Sequence, residues 1–134
     1  MGDAGSTVLG FLFAAAPLLA AVESSVAFDR LLIAAALALW PFLVDGTFTL
    51  FRRLGRGENI LQAHRSHLYQ RLVIAGQTHR RVTLVYGALA AVGVAFGSLV
   101  VRGVPGAVPL AIGGVGVCFL GLWRWVCRVE ARAE

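Results

Sequence analysis

Thirty residues of this 134-residue chain, Arg52 to Arg81, hold all three histidines and seven of the twelve arginines, with Glu58 as the one acid among them. Histidine and arginine together suit a phosphate or a polar ring, bound through hydrogen bonds and fixed positive charge. Two carboxylates stand outside that island in positions that invite chemistry. Asp3 lies in Met1-Gly2-Asp3-Ala4-Gly5-Ser6-Thr7, at the mouth of an apolar run. Glycines around an acid allow a tight turn, and a carboxylate beside a helix start can hold Mg²⁺ against a diphosphate. On spacing alone, the plainer reading is favoured, that Asp3 or Ser6 simply caps the helix. Asp45 lies about one turn inside an apolar run, where a carboxylate is costly unless it is paired or faces a wet cavity. It is either a functional group or the partner of Arg52, Arg53 or backbone groups.

Within the island, Arg52-Arg53-Leu54-Gly55-Arg56-Gly57-Glu58 reads as a flexible basic turn. Asn59–Ala75 then runs without Pro or Gly, which predicts a helix ended by Gly76. Leu61, Leu68, Leu72 and Ala75 form an apolar stripe at helical spacing, and His64, His67 and Arg71 a polar one. Such a helix is expected to lie in the membrane interface with its histidines over the water-facing mouth. His64 and His67 do not read as a zinc site. About four ligands are needed, and no further ones follow nearby.

The elements around these groups are set by hydropathy. With 58% hydrophobic residues, mean hydropathy +0.78 and 14% charged residues, the chain has the composition of a polytopic membrane protein. The expected fold is all-α, a membrane helix bundle of about four transmembrane helices plus one interfacial amphipathic helix in a loop. The spans are expected at about 5–24, 31–51, 82–101 and 104–126, with the loop at 52–81. The stretch 104–126 follows an Arg102-Gly103-Val104-Pro105-Gly106 turn. Gly93 and Gly97, and the glycines at 113, 114 and 116, point to close helix packing. No basic residue precedes the first run, so it does not read as a signal peptide. Cys118 and Cys127 are too far apart along one helix to bridge.

Orientation follows from the arginines. Four spans put ten of them, in the island and the C-terminal tail, on one side and only Arg30 and Arg102 on the other. The positive-inside rule makes the first side cytoplasmic, together with both termini and Asp3. The positive charge flanks apolar spans, so it favours lipid headgroups or phosphorylated ligands over nucleic acid. Lysine is absent, which suits rigid bidentate anion contacts and is equally explained by genomic base composition.

Two motifs carry a resemblance. Met1-Gly2-Asp3-Ala4-Gly5-Ser6 followed by Leu9-Gly10-Phe11 resembles the Gly-Asp-x-Gly-Ser motif of the polyprenyl-phosphate N-acetylhexosamine-1-phosphate transferases, glycosyltransferase family 4. Asp45, Arg52-Arg53, Gly57-Glu58 and Ala63-His64-Arg65-Ser66-His67-Leu68-Tyr69-Gln70-Arg71-Leu72 look like the histidine-bearing cytoplasmic loop of its O-antigen and enterobacterial-antigen branch. The order of motifs and spans fits nearly the whole chain.

The resemblance implies transfer of a sugar-1-phosphate from a UDP-sugar to a polyprenyl phosphate in a bacterial inner membrane, with Mg²⁺ as cofactor and release of UMP. It implies that Asp3 binds the metal and that Asp3 and His67 are catalytic, with His64, Arg65, Arg71, Arg53 and Asp45 as substrate-binding candidates. A second copy of the chain is a further candidate partner. His67-Leu68-Tyr69-Gln70 lacks the later histidines of the family's His-x-His-His pattern, which argues against the muramoyl-pentapeptide branch and leaves the sugar open. The family's other aspartate motifs lie upstream of its Gly-Asp motif. The chain is therefore expected to match the C-terminal portion of a longer enzyme and to be inactive alone. The competing readings are an ion-coupled transporter using Asp45 and a non-catalytic membrane adaptor.

Overall fold

The structure is a computed structural model that describes residues 3–59 and 66–132, with the side chains of Asp3 and Ser6 outside the description. Among the described residues the chain is all-helical, in five helices: α1 (Asp3–Glu23), α2 (Phe28–Gly55), α3 (Leu68–Ile74), α4 (His79–Val101) and α5 (Ala107–Glu130). Helices α2, α4 and α5 are each long and apolar enough to cross a membrane, and α1 is apolar from Thr7 to Glu23. Large apolar side chains such as Phe11, Phe51, Leu84, Ile112 and Val117 point outward along these helices. Such a surface suits hydrocarbon and not water.

Helix α2 is the longest, at 28 residues. At 1.5 Å per residue it extends about 42 Å, well past the roughly 30 Å hydrocarbon thickness. Its final turn therefore carries Arg52 and Arg53 on a helix, not on the expected flexible turn. The chain reverses instead at Arg56 and Gly57. Gly57 takes φ +67°, a left-handed conformation that glycine adopts without strain. The Gly57 and Glu58 N–H groups donate to the carbonyls of Leu54 and Arg53. This is a Schellman ending, and it folds Glu58 back over Arg53.

Helices α2 and α4 run antiparallel and pack closely. A Cβ on Gly93 would lie 1.9 Å from the Leu37 carbonyl oxygen, and one on Gly97 would lie 3.2 Å from Ala34. The paired glycines thus let two backbones meet, and Trp40 Nε1 donates to the Leu89 carbonyl at 2.9 Å across the same seam. Helix α5 continues the bundle against α4, while among the described residues α1 packs on α2 alone.

The short helix α3 closes one end of this bundle. Its Leu68 and Leu72 are fully buried among Val82 and Tyr86 of α4 and Leu122, Val126 and Val129 of α5. The apolar stripe expected for these two leucines is therefore real. The expected helix from Asn59 to Ala75 is shorter, because Ser66 and His67 are not helical and α3 begins at Leu68. Leu61, His64 and Arg65 lie outside the described residues. Gly76, at φ +87°, ends α3 with Gly76 and Gln77 donating to the Val73 and Leu72 carbonyls.

Candidate functional site

One face of α2 sets up the site. Pro41, Asp45, Thr49 and Arg53, spaced four residues apart, are all buried. The stripe changes from apolar to polar towards the end of the bundle that α3 covers. Asp45 is 3% exposed. A carboxylate so placed must have all its lone pairs satisfied.

Its partners come from three helices. Oδ1 accepts from the Leu68 N–H at 2.8 Å and the Thr49 hydroxyl at 3.3 Å. Oδ2 accepts from the Tyr86 hydroxyl at 2.8 Å and, at a longer 3.4 Å, from the Tyr69 N–H. Leu68 and Tyr69 are the first residues of α3, whose leading N–H groups have no partner within the helix. Asp45 supplies that partner from another helix, so α3 starts where a buried acceptor is waiting. Backbone N–H groups and two hydroxyls, not Arg52 or Arg53, are what Asp45 pairs with.

His67 caps α3. Its backbone is extended, its N–H donates to Gln70 Oε1 at 3.3 Å, and its Nδ1 stands 3.6 Å from Asp45 Oδ1. That last separation exceeds hydrogen-bond length, so the contact is electrostatic. The ring lies nearly parallel to Tyr69, with centroids 5.8 Å apart at 18°. His67 and Arg71 do not share one helical face, since His67 precedes the helix.

Two cavities flank this centre. A mostly apolar groove of about 340 Å³ runs beside Phe42, Tyr69, Thr83, Tyr86 and Ala90. A smaller polar pocket of about 50 Å³ is walled by Thr49, Arg52, Arg53, Arg56, Glu58 and Ser66. In it Arg53 is buried. Its Nε donates to Glu58 Oε2 at 3.0 Å and its guanidinium also reaches the Asn59 carbonyl. Arg71 faces α5 instead. It holds Glu130 in a two-pronged contact of 2.6 and 2.5 Å and lies over the Trp123 ring at 5.3 Å. Its Nη1 is buried with no hydrogen-bond partner among the described residues.

Of the sequence candidates, then, Asp45 and His67 come together, Arg53 lines the adjoining pocket, and Arg71 clamps α3 to α5. Asp3 carries a side chain outside the description, as do His64 and Arg65. Among the described residues no group of three or more His, Cys, Asp or Glu could hold a metal ion. Asp45 does not fit Mg²⁺, because both of its oxygens already accept from N–H or O–H donors. Sequence reasoning passed over Tyr86, Thr49 and Glu130. Thr49 and Arg53 follow Asp45 at helical spacing, and Tyr86 lies five residues past Arg81, near the depth of Asp45 on the other side of the island. Those spacings were the available signal.

The chain is distantly similar to decaprenyl-phosphate N-acetylglucosaminephosphotransferase. Those of two Mycobacterium tuberculosis strains, CDC 1551 / Oshkosh and ATCC 25618 / H37Rv, are each 29% identical over 137 residues, covering 82% of this chain and 34% of the relative. The similarity agrees with the resemblance carried by the Asp3 and His67 motifs. The chain spans about a third of the length of the curated relatives it matches. No family model and no solved structure matches it.

Proposed function

We propose that this chain forms part of a membrane phosphoglycosyl transferase that moves an N-acetylhexosamine-1-phosphate from a UDP-sugar to a polyprenyl phosphate. The product would begin a cell-envelope glycan such as an O-antigen. The observation that carries this reading is the similarity to a decaprenyl-phosphate N-acetylglucosaminephosphotransferase along most of the chain. The site adds to it. His67, 3.6 Å from a buried carboxylate, has as chain neighbours Ser66, which lines an arginine-bearing pocket, and, two residues on, Tyr69, which lines an apolar groove.

In the reaction, an oxygen of the lipid phosphate attacks the sugar-bearing phosphorus of the UDP-sugar. The bond between the two phosphates breaks, and UMP leaves with the electron pair. Several negative charges converge, so neutralisation by fixed cations should dominate the barrier. Arg53 and Arg65 are the proposed clamps, with His64 and His67 orienting the nucleotide sugar. Arg71 acts from behind, by holding α3. Asp45 positions His67 and does not contact substrate. Mg²⁺ is the cofactor that the family resemblance implies, and Asp3 is the proposed ligand. The proposed setting is a bacterial inner membrane, with the island and both termini cytoplasmic. The transporter alternative finds no support at Asp45, whose oxygens are occupied by protein donors.

The test is a chimera in which this chain replaces the matching third of a mycobacterial relative. Given UDP-N-acetylglucosamine, decaprenyl phosphate and Mg²⁺, it is expected to release UMP. Asp3→Asn or His67→Ala should each cut that release by about a hundredfold. A folded chimera without turnover, or one indifferent to both changes, counts against the assignment.

A further inference from the structure

The transferase reading gives the pocket at the end of α2 one clamp, Arg53, and leaves Arg52, Arg56 and Glu58, which also wall it, without a role. Three arginines, Arg52, Arg53 and Arg56, line about 50 Å³ beside Thr49 and Ser66. A water needs roughly 10–15 Å³ of such space, so the pocket has room for a few waters or for one tetrahedral oxyanion in their place. Arginines stay charged at any ordinary pH, so the three repel one another unless an anion lies between them. The α2 C-terminus carries the negative end of its dipole and cannot supply attraction. The side chains must do so.

At present the anion is Glu58. The Schellman turn brings it back over Arg53, where Oε2 meets Nε at 3.0 Å, but its Oε1 is 3.9 Å from Arg56 Nη1. The second contact is beyond hydrogen-bond length. The Glu58 side chain is 43% exposed against 6% for Arg53, so it can swing into water at small cost while Arg53 stays in place. Glu58 is the one carboxylate among the residues walling the pocket, against three arginines, although Glu130 also acts on Arg52 from outside it. A phosphomonoester carries about −1.5 to −2 at neutral pH and three acceptor oxygens.

We infer that this pocket is a phosphoryl-binding site in which Glu58 is a resident competitor. Ligand entry exchanges the Glu58 carboxylate for phosphate oxygens on Arg53 and Arg56 and engages Arg52. The ligand chemistry is a terminal phosphate or diphosphate, from a lipid phosphomonoester or from a nucleotide. The choice of these two carriers rests on the transferase reading; the site for phosphate itself does not.

The chain in neutral phosphatidylcholine nanodiscs should be titrated with inorganic phosphate, with UDP, and with phosphatidic acid added to the discs. At least one probe is expected to bind. Arg52→Gln and Arg56→Gln should weaken that binding about fivefold, and Glu58→Gln should strengthen it about threefold. Arg128→Gln, at the same end of the bundle, should leave it unchanged. Arg56 and Glu58 are both exposed, so their variants are expected to fold, and elution volume checks this. A response to UDP alone identifies the nucleotide as the source, and a response to phosphatidic acid alone identifies the lipid. The site is overturned if no probe binds, if Arg128→Gln weakens binding as much as Arg52→Gln, or if Glu58→Gln weakens it. Phosphate binding of the expected pattern in a chimera that releases no UMP sustains the site and rejects the transferase reading.

Discussion

The hydroxyl of Tyr86 on α4 donates to Asp45 Oδ2 on α2 at 2.8 Å, so two spans are joined by a buried hydrogen bond at the level where α3 begins. The same carboxylate binds the first N–H groups of α3 through Leu68 and Tyr69. One side chain therefore ties two spans to the segment bearing His67. A hydrogen bond to a charged acceptor is worth about 1.5–3 kcal/mol net, and an orphaned buried donor costs about 1–3 kcal/mol. Removing the carboxylate leaves several donors stranded together.

Asp45→Ala should accordingly destabilise the α3 segment by several kcal/mol, on the order of two or three such penalties. Asp45→Asn keeps one acceptor oxygen and turns an NH₂ towards donors, so it should be intermediate. Tyr86→Phe loses a single bond and should cost about 1–2 kcal/mol. Amide hydrogen exchange at Leu68 and Tyr69 in nanodiscs reads this order directly. Equal protection in wild type and Asp45→Ala would show that Asp45 does not anchor the helix.

The seam between α2 and α4 gives a second prediction. A methyl on Gly93 would collide with the Leu37 backbone oxygen at 1.9 Å, whereas one on Gly97 meets Ala34 at 3.2 Å. Backbone cannot move aside as a side-chain tip can. Gly93→Ala should therefore cost about 3 kcal/mol or more, at the upper end for overpacking, and Gly97→Ala roughly 1 kcal/mol. Gly116→Ala, with nothing within 4 Å, is the neutral control. Thermal denaturation in detergent ranks the three, and a Gly93→Ala protein as stable as Gly116→Ala contradicts the close approach.

How far these features could be read from the chain depends on the distance over which they act. The apolar helices were legible, because hydropathy over about twenty residues is a local property. The seam at Gly93 and Gly97 was legible for the same reason. The limits of α2 and α3 were not. The polar residues after Leu50 suggested a turn, but a helix already anchored in the bundle continues until a glycine with a left-handed backbone ends it, here Gly57. The start of α3 was hidden because its cap, Asp45, is 23 residues away from Leu68. His67 was marked by type, yet its neighbour in space could only be found by folding. Arg71 looked like an anion clamp for want of any sign that Glu130, 59 residues on, reaches it.

Leu72 tests whether α3 is part of the core or lies on a surface. It is fully buried between α4 and α5. Leu72→Ala should cost about 2–5 kcal/mol, as for other enclosed leucines, and should raise exchange throughout α3. A surface helix would lose less than about 0.5 kcal/mol. Melting temperature and exchange together separate the two cases.

The Arg71–Glu130 contact offers the sharpest energetic test, because it is geometrically good and partly withdrawn from water. Both prongs are short, and the side chains are 12% and 32% exposed. Removing one partner strands the other, so Arg71→Ala and Glu130→Ala should each destabilise, by about 2–4 kcal/mol for the more buried loss. The double variant should cost much less than the two together, with a coupling energy of about 1–3 kcal/mol. Arg71→Lys keeps the charge but loses the two-pronged geometry and the planar contact with Trp123, so it should recover only a minor part. Were Arg71 instead a substrate clamp held in reserve, Glu130→Ala would leave stability unchanged and the two substitutions would simply add.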